Sequence, residues 1–98
     1  MKENNPYRED REQLRELLKK YENFKNGRSH SFIDEDAYEK IIDYYQEKEE
    51  LLKAMEAAEI AAEQFPYSSL LLIKKADILL SNRRYQQALD ILEQASIL

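Results

Sequence analysis

Cysteine and tryptophan are absent from this 98-residue chain, and it contains one glycine and two prolines. Without cysteine there are no disulfides and no thiolate ligands for zinc, a habit that fits a reducing compartment; a cytoplasmic location is the expectation. So few turn formers argue against many short strands and for a nearly all-helical protein. The longest apolar run, Leu70-Leu71-Leu72-Ile73, is far too short to span a bilayer, and residues 1–13 are charged with no apolar core, so neither a membrane span nor a signal peptide is expected. A single histidine and no thiol leave the cysteine and Ser–His nucleophile schemes short of parts. His30, between Ser29 and Ser31, reads as a solvated loop residue. Asp34, Asp36 and Glu39 lack the glycine and the ligand spacing of a calcium loop and read better as helix-start residues. The expectation is no catalytic residue, no cofactor and no metal.

Charge is unevenly placed within the net −5. Residues 1–34 carry 8 Lys and Arg against 7 Asp and Glu, residues 69–98 carry 4 against 3, and residues 35–68 carry 3 against 10. An acidic middle third repels phosphate backbones, which argues against nucleic acid as a partner.

Five helices are expected. The first starts from Asn5 as N-cap with Pro6 at its first position, and buries a stripe of Leu14, Leu17, Leu18, Tyr21 and Phe24 before stopping at Asn26-Gly27. The second is capped by Asp34, with Glu35 and Asp36 at the positive end of its dipole, and buries Tyr38, Ile41, Ile42 and Tyr45. A turn near Lys48–Glu50 leads into the third, Leu51 to Gln64, rich in alanine and stopped by Phe65-Pro66. Ser68 caps the fourth, Ser69 to Ser81, and the turn Asn82-Arg83-Arg84 leads to the fifth, which starts at Tyr85.

These elements repeat. At a fixed offset of 34 residues, Tyr38 returns as Leu72, Tyr45 as Leu79, Leu51 as Tyr85, Ala54 as Ala88, Met55 as Leu89, Ala58 as Leu92 and Ala61 as Ala95. A period of about 34 is that of tetratricopeptide helix–turn–helix repeats. With Glu35 as position 1, Tyr38, Ile41, Ile42, Tyr45, Ala54, Ala58, Ala61 and Pro66 fall on that family's signature positions; with Ser69 as position 1, Leu72, Lys75, Ala76, Leu79, Ala88, Leu92 and Ala95 do so. Residues 35–98 thus resemble the tetratricopeptide repeat family, and the segment Leu14 to Tyr45 looks like the start of longer bacterial proteins carrying many such repeats. Ile42 and Lys75 depart from the pattern, one where a small residue is usual and one where an apolar residue is.

The resemblance implies an all-α fold: an α-solenoid of antiparallel helix pairs, with a cap helix and link over residues 1–34, one repeat over 35–68 and a second, incomplete one over 69–98. It implies a non-catalytic protein-interaction scaffold whose concave face takes Asp36, Glu39, Lys40 and Asp43 from one repeat and Leu70, Ile73, Lys74, Asp77 and Leu80 from the next. An acidic wall beside an apolar patch suits a basic, amphipathic peptide. Asp43 and Asp77 stand where chaperone-binding relatives need asparagine to hold a carboxylate, so that ligand is not expected. Tyr38, Tyr45 and Tyr85 read as core, Tyr44 and Tyr67 as more exposed. Because the chain stops inside the second repeat, the expectation is a piece of a longer array with an uncapped edge, and a homodimer through Tyr85, Leu89, Leu92 or Ile97. The alternative function is a self-assembly or regulatory domain that packs on its own downstream repeats or on a second copy.

Overall fold

The computed structural model describes the backbone of residues 6–97 and the side chains of residues 10–97. Among these residues there are five α-helices and no strand: α1 (Pro6–Lys25), α2 (Glu35–Glu47), α3 (Leu51–Gln64), α4 (Ser69–Ser81) and α5 (Tyr85–Ile97). None is long and apolar enough to cross a membrane. The expected Asn5 cap lies outside the described residues. Two compact units divide the chain, one ending at Ile33 and one starting at Asp34.

In the first unit α1 begins at Pro6, whose missing N–H costs nothing at the first helical position. Lys25 sits in its last turn, favourable against the dipole, with its ammonium 3.6 Å from Glu22 and 5.7 Å from the centre of the Tyr21 ring. Gly27 ends the helix at φ +74°, while the Arg28 N–H reaches the Asn23 carbonyl at 2.8 Å and the Gly27 N–H the Phe24 carbonyl at 3.1 Å. That pair of bonds is a Schellman motif. A Cβ at Gly27 would meet nothing within 4 Å, so its backbone angle, not lack of space, calls for glycine.

In the second unit the 34-residue offset of the sequence reappears in the backbone. Asp34 caps α2 by accepting from the Ala37 N–H at 2.8 Å, and Ser68 caps α4 by accepting from the Leu71 N–H at 3.2 Å. The Glu50 N–H reaches the Tyr45 carbonyl and the Glu49 N–H that of Gln46; 34 residues on, Arg84 reaches Leu79 and Arg83 reaches Leu80. Both turns are Schellman motifs, and both put a non-glycine residue in the left-handed region: Glu49 at φ +58° and Arg83 at φ +59°. The α3-to-α4 link turns at Phe65-Pro66, where Phe65 leaves the α region (φ −128°) as a residue before proline must. Its ring packs edge-on to Tyr38, with centroids 6.3 Å apart.

Packing runs α2 on α3, α3 on α4 and α4 on α5, and α2 also touches α4. From α2, Tyr38, Ile41 and Ile42 are fully buried; α3 contributes Ala54, Ala57, Ala58 and Ala61, also fully buried. Ala76, Leu79 and Ala88 form a further cluster between α4 and α5, with Met55 and Ile91 packed against it. Leu71 and Ile78 are fully buried as well, although neither belongs to the apolar set matched to the repeat signature. They reflect the central place of α4, which packs against α2, α3 and α5 and is apolar on nearly every face. Two tyrosines differ from expectation. Tyr85 is 58% exposed rather than core, because no described residue covers its face of α5, whereas its image Leu51 is half-buried. Tyr44 is half-buried, its ring edge-on to Tyr45 at 5.3 Å and the Lys48 ammonium 5.8 Å from its centre.

Two outcomes follow. Replacing Arg83 or Glu49 by glycine removes left-handed strain at a cost in unfolded-chain entropy, and each is expected to stabilise the protein by about 0.5–1 kcal/mol, read as a rise in thermal midpoint. Burial raises the Tyr38 phenol above its ordinary pKa of 10.0, partly offset by a hydrogen bond with Gln64. The folded state then holds a proton that the unfolded chain releases, so stability is unaffected below about pH 10 and falls as pH rises through the folded pKa. Urea denaturation across the alkaline range, with Tyr38→Phe as reference, measures that slope.

Candidate functional site

Because α2 touches α4, side chains one helical turn short of a full 34-residue offset come together. The Lys74 ammonium pairs with Asp43 Oδ1 at 2.5 Å, and Gln46 Nε2 donates to Asp77 Oδ2 at 3.0 Å. Both pairs are separated by 31 residues and both run between α2 and α4. With Glu47 these four side chains line an open depression of about 310 Å³.

The structure brings together part of the expected face and redistributes its charge. Asp43, Lys74 and Asp77 meet as described. Lys74, expected to flank an apolar patch, instead crosses to α2 and neutralises one of the acids. The two equivalent aspartates therefore do not simply oppose one another: Asp43 holds an ammonium and Asp77 an amide. Asp36 and Lys40 are exposed and Glu39 half-exposed on α2, outside that depression. On α4, Ile73 is 51% and Leu80 43% exposed, while Leu70 is half-buried. The arrangement offers carboxylates, one committed ammonium and two open apolar side chains, which is the chemistry of recognition. His30 is exposed in the first unit, where the neighbouring Ser29 and Ser31 hydroxyls bond to each other at 2.8 Å. Among the described residues no three of His, Cys, Asp and Glu converge as metal ligands, and Asp34 is engaged as a helix cap.

Sequence reasoning named the residues of this face but missed their pairing. The signal was present: first-helix positions 9 and 6 of successive repeats lie 31 apart, and they hold opposite charges in Asp43 and Lys74. It also missed a second depression, about 520 Å³, where Leu52, Met55, Leu79 and Ile91 meet Lys75 and Arg84. There Lys75 is half-buried, its stem beside the apolar floor, as its place in the repeat suggested. On α5 the expected association residues are all open: Tyr85 58%, Leu89 53%, Leu92 37% and Ile97 83% exposed. Tyr85, Leu89 and Leu92 share one stripe, whereas Ile97 lies about 120° round the helix from Tyr85.

No family model, no curated protein and no solved structure matches the chain.

The Lys74–Asp43 pair is partly exposed, at 23% and 43% of its side-chain surfaces, so its net contribution is modest. A double-mutant cycle with Lys74→Ala and Asp43→Ala is expected to give a coupling of about 0.5–1 kcal/mol. High salt should reduce it, and a coupling indistinguishable from zero at low salt would show that the two charges do not hold α2 and α4 together.

Proposed function

We propose that this protein is a non-catalytic interaction scaffold of the tetratricopeptide type, an α-solenoid of antiparallel helix pairs, and that it holds a basic, amphipathic peptide along the α2–α4 face. What supports the repeat reading is the 34-residue register shared by sequence, helix bounds, N-caps and left-handed turns. The observation that carries the functional reading is the pair of 31-residue contacts between α2 and α4. They align the first helices of the two repeats side by side, so that residues from both lie on one surface.

Lys74 and Asp43 satisfy each other, which leaves Asp36, Glu39 and Glu47 as the carboxylates available to a ligand's cations. Ile73 and Leu80 supply the apolar contact. A ligand complementary to this surface carries Lys or Arg at one end of a short segment and Leu- or Ile-like residues at the other. Lys74 then serves to keep the two helices in register and to prevent the acidic wall from attracting cations indiscriminately. Exposed charges steer the encounter and set specificity, while the apolar side chains supply most of the affinity.

Fluorescence anisotropy tests this with two labelled peptides of equal length, one alternating Lys and Leu and one with Glu in place of Lys. The basic peptide is expected to bind, with an affinity that falls as salt rises. Asp36→Lys with Glu39→Lys should weaken it about tenfold, and Ile73→Ser with Leu80→Ser by at least as much. Equal binding of the acidic peptide, or indifference to both pairs of substitutions, would remove the α2–α4 face as the site.

A further inference from the structure

Tyr85, Leu89 and Leu92 follow one another at i, i+4 and i+7 on α5 and are all open to solvent. What such a stripe meets is visible one register earlier. Its images 34 residues back are Leu51, Met55 and Ala58 on α3. There Ala58 is fully buried, Leu51 is half-buried, and Met55 packs against Ala76, Leu79 and Ala88 of α4 and α5. The chain covers this stripe on α3 with its own helices and leaves the same stripe on α5 uncovered. We propose that a second copy of the chain covers it, edge to edge about a two-fold axis, so that two α5 helices pair and the protein is a homodimer.

Two observations select this occupant and this symmetry. In a head-to-tail stack, the stripe would have to be received by the images of Ala76, Leu79 and Ala88, which are Ile42, Tyr45 and Ala54. Those residues are 0%, 6% and 0% exposed, so they offer no receiving surface. The stripe is therefore matched by itself and not by the opposite end of the molecule. Charge points the same way. Each copy carries a net −5, and residues 35–68 are strongly acidic, so two copies repel over much of their surface. No charged side chain interrupts Tyr85, Leu89 and Leu92, which makes this edge a place where like-charged copies can approach. With the α5 helices running oppositely, Tyr85 of one copy faces Leu92 of the other and Leu89 lies beside the axis. Such a contact uses the same patch twice and closes at two copies. It leaves the α2–α4 peptide face uninvolved and stands independently of the function proposed for it.

The absence of cysteine makes a direct test simple. Sedimentation velocity and light scattering on the whole chain, from micromolar to millimolar concentration, are expected to show a reversible monomer–dimer equilibrium. Added salt should tighten it, because screening weakens repulsion between acidic copies. Leu89→Glu should raise the dissociation constant about tenfold or more, whereas Leu52→Glu, at a site 85% exposed on α3 outside the stripe, should leave it unchanged. Leu89→Cys, as the only thiol, should cross-link to itself under mild oxidation because both copies present it at the axis; Leu52→Cys should not. This arm decides the matter even if Leu89→Glu disturbs folding, which circular dichroism would reveal. A monomer at millimolar concentration, growth beyond a dimer, or a dimer in which Cys at position 89 fails to cross-link would each overturn the proposal.

Discussion

Close approach at α3 is the constraint on which the second unit depends. Its buried face is made of Ala54, Ala57, Ala58 and Ala61, each without exposed surface. Alanine gives a helix no bulk on that side, so axes can come to the short end of the usual 8–10 Å separation. Since α3 packs on both α2 and α4, drawing each inward is what lets α2 and α4 touch at all. A larger residue on this face would act twice, once against each neighbour, and overpacking in a filled core costs about 1–3 kcal/mol. Alanine also favours helix intrinsically, so the residues that permit the packing also support the element that is packed.

From that approach the polar contacts follow. Lys74 and Gln46 reach across the α2–α4 line to Asp43 and Asp77, and neither bridge could form if α3 held its neighbours further apart. Burial by small residues and pairing of charged ones are thus two consequences of one spacing. The same logic explains the uneven burial of α5. It packs against α4 through Ala88, one side being closed by that contact while Tyr85, Leu89 and Leu92 remain open.

Much of this was legible in the residues, and the parts that were not share a cause. Asp34 and Ser68 announce their helices because a capping side chain acts within three residues of itself. The 34-residue echo announces the common register because the apolar positions within a helix pair are set by local periodicity. Leu71 and Ile78 were not recognised as core because a stripe on one face describes a helix with one neighbour, and α4 has three. Tyr85 was misread as core because its image Leu51 is sheltered by helices that follow it in the chain. The Lys74–Asp43 bridge needed the distance between α2 and α4, which only the packing of α3 determines. Residues that act within one helix could be read directly; those whose role depends on a third helix could not.

The two left-handed turns show how far packing outweighs local preference. A Schellman turn favours glycine at its left-handed residue, and Gly27 supplies one after α1. Glu49 and Arg83 adopt the same conformation at a cost of about 1–2 kcal/mol each, and their turns close with equivalent bonds. A fully buried Tyr or Ile side chain contributes on the order of 1.5–3 kcal/mol, and α2 alone buries Tyr38, Ile41 and Ile42 completely. Even a single one of these roughly offsets a strained turn, and the set exceeds it. The reversal of chain between α2 and α3, and between α4 and α5, is therefore imposed by the apolar faces on either side. That is why a region with no glycine and no proline at its turn, Lys48–Glu50, still breaks one long polar stretch into two helices.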